Sequence, residues 1–139
     1  MPDDDHQGEK KLCFVIGPIG DAGSDIRRHA DWVLHGIIKP VFSVHFGEFV
    51  VERADEIVSP GSINSQVINR LMEAPLVKAD MSFYNANAFY ELAVRHMKVL
   101  PTIHVIRDDW KIPFDVAPYR AITFGYANYS DLEKARDDL

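Results

Sequence analysis

The chain has 139 residues, the length of one domain and enough to bury one substantial core, and its composition (47% hydrophobic, 26% charged) excludes wholesale disorder. Fifteen Lys and Arg against 21 Asp and Glu leave a net charge of −6, which offers no basic footprint for a nucleic acid or for an anionic membrane face. A free nucleotide stays compatible with that charge, because backbone N–H groups at a helix start hold a phosphate without net positive charge.

Cys13 is the only cysteine, so no internal disulfide is possible; within Leu12-Cys13-Phe14-Val15-Ile16 it reads as a buried, inert thiol, and the usage fits a reducing cytoplasm. No apolar stretch approaches the ~20 residues that cross a bilayer, and no signal-peptide pattern opens the chain. Met1 to Lys10 is polar and charged, a disordered lead-in to a domain over 11–139. Lys11 to Ile16 is a nearly continuous apolar run ending at Gly17-Pro18, the pattern of a strand covered on both faces. Turn formers fill Gly17 to Ser24, and a helix starts near Asp25 with Ser24 as its N-cap. Its apolar positions, from Ile26 and Ala30 through Val33, Leu34, Ile37 and Ile38 to Val41, recur at helical spacing. Arg27, Arg28 and Asp31 take the wet side, and Pro40 kinks or ends the helix.

Phe46 to Val51 is the second strand, and Pro60-Gly61-Ser62 caps a helix over Ile63 to Glu73. Leu76 to Met81 is a third strand, interrupted by Lys78. A helix over Asn87 to Val99, strands at Pro101 to Ile106 and Ala121 to Phe124, and a helix from Asp131 onward complete the chain. The helical pattern still runs at Leu139, so that element or a following domain is expected to continue beyond it. The alternation predicts an α/β fold: a three-layer, flavodoxin-like, doubly wound and mostly parallel five-stranded sheet. Ligands in such sheets bind beyond the carboxyl ends of the strands, where strand order reverses, which points to the loops Gly17–Ser24, Arg53–Ser62 and Asp80–Asn87.

Glycines at 17, 20 and 23 let backbone approach a ligand, and the helix starting at Asp25 offers free N–H groups that hold a phosphate or ribose. Their G-x-x-G-x-x-G spacing matches neither the dinucleotide fingerprint nor the P-loop, Asp21 and Asp25 would repel an anion, and a sharp turn from strand to helix explains the glycines equally well. The stretch Asp80 to Ala93 carries more chemistry. An acid at a strand's carboxyl end is followed by a polar loop and by a helix holding Glu91 near its start. Asn87, Glu91 and Arg95 share a helical stripe, and Asp80 and Glu91 are expected to meet at one cleft as a carboxylate pair suited to breaking a glycosidic bond. The alternative is structural: a solvated Glu91–Arg95 ion pair, with Asp80 capping the loop that follows it.

Asp80 to Ala93, with Phe-Tyr-Glu-Leu opening a helix after a strand that ends in Asp, resembles the nucleoside deoxyribosyltransferase-like superfamily and its TIR-like relatives. Cys13 to Pro18 with Gly20, and Pro101 to Ile106, resemble that group's first strand and loop and its next strand. The resemblance implies that Glu91 attacks or stabilises the sugar's anomeric carbon and that Asp80 holds a sugar hydroxyl or transfers a proton. It implies further that Gly17, Pro18, Gly20 and Ser24 bind the phosphate or ribose side, with Ser82, Tyr84, Asn85 and Asn87 completing the substrate site, Phe83 or Tyr84 stacking on a base and Asn85 bonding a ribose hydroxyl. The activity implied is cleavage of an N-glycosidic bond in a nucleotide or NAD, by hydrolysis or base exchange, in bacterial defence against phage. No cofactor is needed, and a homo-oligomer or a fused partner domain is expected. Asn85 and Asn87 stand where base-exchanging members carry a further acid, which favours hydrolysis, and Ala88 and Phe89 stand where many TIR enzymes have Cys or Trp. The alternative is a non-catalytic module that binds a nucleotide signal or self-associates.

The six histidines, at 6, 29, 35, 45, 96 and 104, have no zinc-ligand context, and no metal site is expected. Arg53-Ala54-Asp55-Glu56 follows the second strand as a solvated loop or a reach into the cleft, and Trp32 and Trp110 read as packing anchors. No Gly-x-Ser-x-Gly elbow occurs, so a serine triad has no support.

Overall fold

Alternation within each apolar run decides which layer a strand side chain joins. In β1 (Lys11–Ile16), Cys13 and Val15 face one side of the sheet and Phe14 and Ile16 the other. The computed structural model describes residues 10–57, 63–113, 121–126 and 128–139, with Ile63 and Asn64 described in backbone only. The lead-in before Lys10 and the cap at 60–62 lie outside the described residues.

The remaining strands are β2 (Phe49–Arg53), β3 (Leu76–Asp80), β4 (Thr102–Arg107) and β5 (Ala121–Phe124). All pair in parallel in the order β2-β1-β3-β4-β5. Strand order therefore reverses between β1 and β3, where the chain has crossed from one side of β1 to the other. Helix α1 runs through three consecutive stretches, Asp25–Asp31, a π-helical Trp32–Ile38, and Lys39–His45. It joins α4 (Tyr129–Asp138) over the Cys13/Val15 face, and α2 (Ile63–Glu73) and α3 (Ala86–Met97) cover the Phe14/Ile16 face. Among the described residues no helix is long and apolar enough to cross a membrane.

Two element expectations need correction. The second strand begins at Phe49, not Phe46, because Phe46 caps the end of α1 and its ring packs on Phe42, which Phe49 also meets edge-on. Of the two outcomes expected at Pro40, a kink or a stop, the stop does not hold, since α1 continues through it to His45. In an α-helix its missing N–H would leave the Gly36 carbonyl without a donor; Arg136 of α4 supplies one, its Nε donating to Gly36 O at 2.6 Å. The π-helical register, with the Lys39 N–H reaching back five residues to Leu34, takes up the accompanying crowding.

Buried polar groups mark where the core is not purely apolar. Arg95 of α3 is fully buried and donates to Leu71 O (3.0 Å), Pro101 O (2.7 Å) and Thr102 Oγ1 (3.4 Å), tying α2 and α3 to the start of β4. Lys78 lies in mid-β3 with its Nζ buried and without a hydrogen-bond partner among the described residues, and burial pulls its amine down to about 7. Burial also pushes the Cys13 thiol up to about 12, which keeps it neutral and unreactive.

Candidate functional site

The crevice between the carboxyl ends of β1 and β3 opens into a pocket of about 540 Å³, mouth included. Val15, Ile16 and Gly17 close it from β1, Ile19 and Gly20 from the following loop, and Ala54 from the turn after β2. Asn85, Asn87 and Glu91, from the cap and first turns of α3, complete the wall. This is the switch point of the sheet, where ligands of such folds bind. A wider hollow of about 950 Å³ lies along the early residues of β4 and along β5, away from the switch point.

Local sequence chemistry builds each wall. The β1 end sits tight against β3 because residue 17 has no side chain: a Cβ there would stand 2.9 Å from Asp80 Cβ. Gly20 takes φ +68, a left-handed conformation that glycine adopts without strain. Arg27 fixes this loop, donating through Nε to Ile19 O (3.1 Å) and through Nη2 to Gly20 O (2.9 Å). Its predicted place on the wet side of α1 is thus a half-buried one. Asn85 caps α3, its Oδ1 accepting from Ala88 N–H at 2.9 Å, and this leaves the amide end of the side chain at the pocket.

Among the described residues Glu91 is the one ionisable group on the lining. Its carboxylate has no hydrogen-bond or ion-pair partner among the described residues, and burial raises it to about 6. The alternative of a solvated Glu91–Arg95 pair does not hold, since Arg95 is buried against backbone carbonyls.

The expected meeting of Asp80 with Glu91 is corrected by the pleat. Asp80 follows Lys78 on the β3 face that looks toward α1, while Val77 and Ala79 look toward α3. Asp80 is 6% exposed, its Oδ2 accepts from His29 Nε2 at 2.7 Å and its Oδ1 accepts from Ser82 N–H at 3.0 Å. It is absent from the wall that holds Glu91. Four proposed substrate contacts also lie off that wall. Pro18 is buried, and Ser24 caps α1, its Oγ accepting from Arg27 N–H at 3.1 Å. Ser82 is fully buried, with its Oγ accepting from Arg107 N–H at 2.9 Å. Tyr84 turns to the loop after β4, donating its hydroxyl to Lys111 O at 2.5 Å and stacking edge-on against Trp110. Gly17, Gly20, Asn85 and Asn87 do line the pocket. Among the described residues no three metal-ligating side chains converge.

Sequence reasoning had Ala54 only within Arg53–Glu56, a segment read as a solvated loop or a reach into the cleft, and gave Ile19 no wall role, since nothing in an apolar side chain advertises a pocket. It also missed His29. The signal was present: His29 falls in step with Ile26, Ala30 and Val33 on the inner stripe of α1, where a fully buried imidazole needs a polar partner.

No protein-family model and no curated protein matches the chain. Among solved structures it is similar to a 2-desoxiribosyltransferase from Leishmania mexicana, with a TM-score of 0.50 and 14% identity. The match covers 70% of this chain and spans 65% of the length of that one. With its five parallel strands in the order β2-β1-β3-β4-β5 and helices on both faces, the chain has the α/β flavodoxin-like fold, consistent with that neighbour.

Proposed function

We propose that this pocket breaks the N-glycosidic bond of a nucleoside, with Glu91 attacking the anomeric carbon. The observation that supports the reading is one desolvated carboxylate, without a partner among the described residues, on the wall of a sugar-sized crevice at the switch point. The Glu91 carboxylate gives an electron pair to C1′ as the C1′–N bond breaks, and that bond's electrons leave with the base, which takes a proton from solvent. Water then attacks C1′, loses its proton to solvent and releases the carboxylate; a second base would give transfer in place of hydrolysis. Positive charge developing on the sugar faces a carboxylate in a partly dry site, where its attraction is strongest. Asn85 and Asn87 bond sugar hydroxyls, Gly17 and Gly20 admit the sugar close to backbone, and Val15, Ile16, Ile19 and Ala54 offer apolar contact to the remainder.

A neutral nucleoside is preferred to a phosphorylated substrate or NAD, because no cation lines the pocket among the described residues. Arg27 is held by loop carbonyls and Arg53 by Asp31 and Asp55. Attack needs the ionised carboxylate, so turnover should rise with pH through about 6 and then level. Incubation with nucleosides, nucleotides and NAD, followed by chromatography for freed base, tests the proposal. Base release that disappears in Glu91→Gln is the expected result; a folded wild type that frees no base from any of them would sink it.

A second reading, self-association, is favoured by the outer stripe of α3, where Tyr90 is 66% and Met97 85% exposed beside exposed Ala86 and Ala93. It predicts a dimer by light scattering that Met97→Glu converts to monomer.

A further inference from the structure

We propose that His29 and Asp80 are positioning residues that hold the β3–α3 loop, and with it the Asn85–Glu91 wall of the pocket, from the opposite face of the sheet. The inference rests on the reading of Glu91 as the reacting group, and it gives Asp80 a task other than contact with substrate.

The loop after β3 is built in a conformation its own residues do not favour. Phe83 and Tyr84 take φ +64 and +47, two successive left-handed residues carrying bulky side chains. Such a turn persists only when its surroundings over-determine it. Here they do, and the bonds converge on Asp80. Its Oδ1 accepts the Ser82 N–H at 3.0 Å and its Oδ2 accepts from His29 Nε2 at 2.7 Å. Ser82 Oγ in turn accepts the Arg107 N–H of β4 at 2.9 Å. The imidazole of His29 meets the Phe83 ring edge-on at 4.9 Å, and the Arg107 guanidinium lies 4.8 Å over that ring's centroid. One carboxylate therefore joins α1, the end of β3 and the strained turn, and Asn85 caps α3 directly after that turn.

A buried Asp beside a fully buried His on the far face has no access to substrate, yet it fixes where α3 starts. Loss of the His29–Asp80 bond should let the turn relax and tilt the first turns of α3, displacing Asn85, Asn87 and Glu91 from the sugar. Apolar contacts would persist while the bonds of Asn85 and Asn87 to the sugar weaken and Glu91 loses its aim, so kcat should fall by more than KM rises.

The test compares His29→Leu, which removes the donor, with His29→Gln, whose side-chain N–H can still reach Asp80 Oδ2, and with Asp80→Asn. Hydrogen exchange of the amides of residues 82–84 reads the loop directly and does not depend on any activity. Exchange at least about tenfold faster in His29→Leu, restored by His29→Gln, is expected. Alongside it, kcat should fall about tenfold or more in His29→Leu with a smaller rise in KM, His29→Gln should recover most of both, and Asp80→Asn should retain measurable turnover with the wild-type acid limb. Unchanged exchange in His29→Leu overturns the proposal. So does an Asp80→Asn variant as inactive as Glu91→Gln with its loop protection intact, since that outcome would make Asp80 a reacting group. If the wild type cleaves no nucleoside, the Glu91 reading fails and exchange alone decides the role of His29.

Discussion

Burial raises the Glu91 carboxyl from 4.5 to about 6, so the folded protein holds this proton more tightly than the unfolded chain does. The stability linked to that proton is fully present below pH 4.5 and is lost as pH rises through 6. Glu91→Gln should therefore stabilise the protein at pH 8 by roughly 1 kcal/mol, a figure discounted for solvent screening of a half-buried group, with the advantage vanishing near pH 4. Thermal unfolding of the two proteins across that range checks it, and a Gln variant less stable at pH 8 would contradict the desolvated placement. Lys78 titrates in the other sense. Its amine is lowered from 10.5 to about 7, so the penalty of burying it is complete below pH 7 and fades as pH climbs toward 10.5. Lys78→Met keeps the volume and should add on the order of 3 kcal/mol at pH 6 and much less at pH 10, measured by urea unfolding. At this scale the position of Glu91 near the start of α3, at the loop-lined end of the sheet, was legible in the sequence, because strand, polar loop and helix start follow one another there. The facing of Asp80 was legible only in principle: counting by twos from Val77 and Ala79, which belong with the core under α3, assigns Asp80 to the other layer.

Elements were read best where spacing alone decides them and worst where a tertiary partner overrides a local rule. Helix α2 and strand β5 fall at their expected positions because their boundaries coincide with clear changes of apolar period. Pro40 looked like a kink or a stop, and no local signal could have announced that Arg136, 100 residues away in sequence from Gly36, supplies the donor which lets α1 continue. The end of α3 holds a different mismatch. Val99 has φ +54 just past the helix, with its N–H donating to His96 O at 3.2 Å and its side chain 88% exposed. A β-branched residue is costly there, and glycine is the residue that such a position favours. Val99→Gly should stabilise the protein by about 1 kcal/mol, since nothing packed is lost. Equilibrium denaturation gives the sign directly; a destabilised variant would mean the side chain is covered in solution.

For the molecule as a whole, strand–helix alternation was enough to give the parallel doubly wound sheet, and the three loops that the switch-point rule singled out each contribute to the pocket wall, through Gly17, Ile19 and Gly20, through Ala54, and through Asn85 and Asn87. The bulk charge carries a further expectation. A net charge of −6 and a pocket whose sole ionisable group among the described residues is an acid should repel an anionic substrate. A nucleoside should then be turned over with a kcat/KM at least about tenfold above that of its 5′-monophosphate, and added salt should narrow the gap by screening. A monophosphate preferred at low ionic strength would contradict this.

The contact of Gly17 with Asp80 has a consequence for the width of that crevice. Two neighbouring strands close on each other there because one of them lacks a single methyl group. The aperture is thus specified by something missing, and the smallest possible enlargement of residue 17 would act as a wedge, prying apart the rim of the pocket while leaving both helical layers in place. The width of the opening is accordingly tunable from a single backbone position at the end of β1.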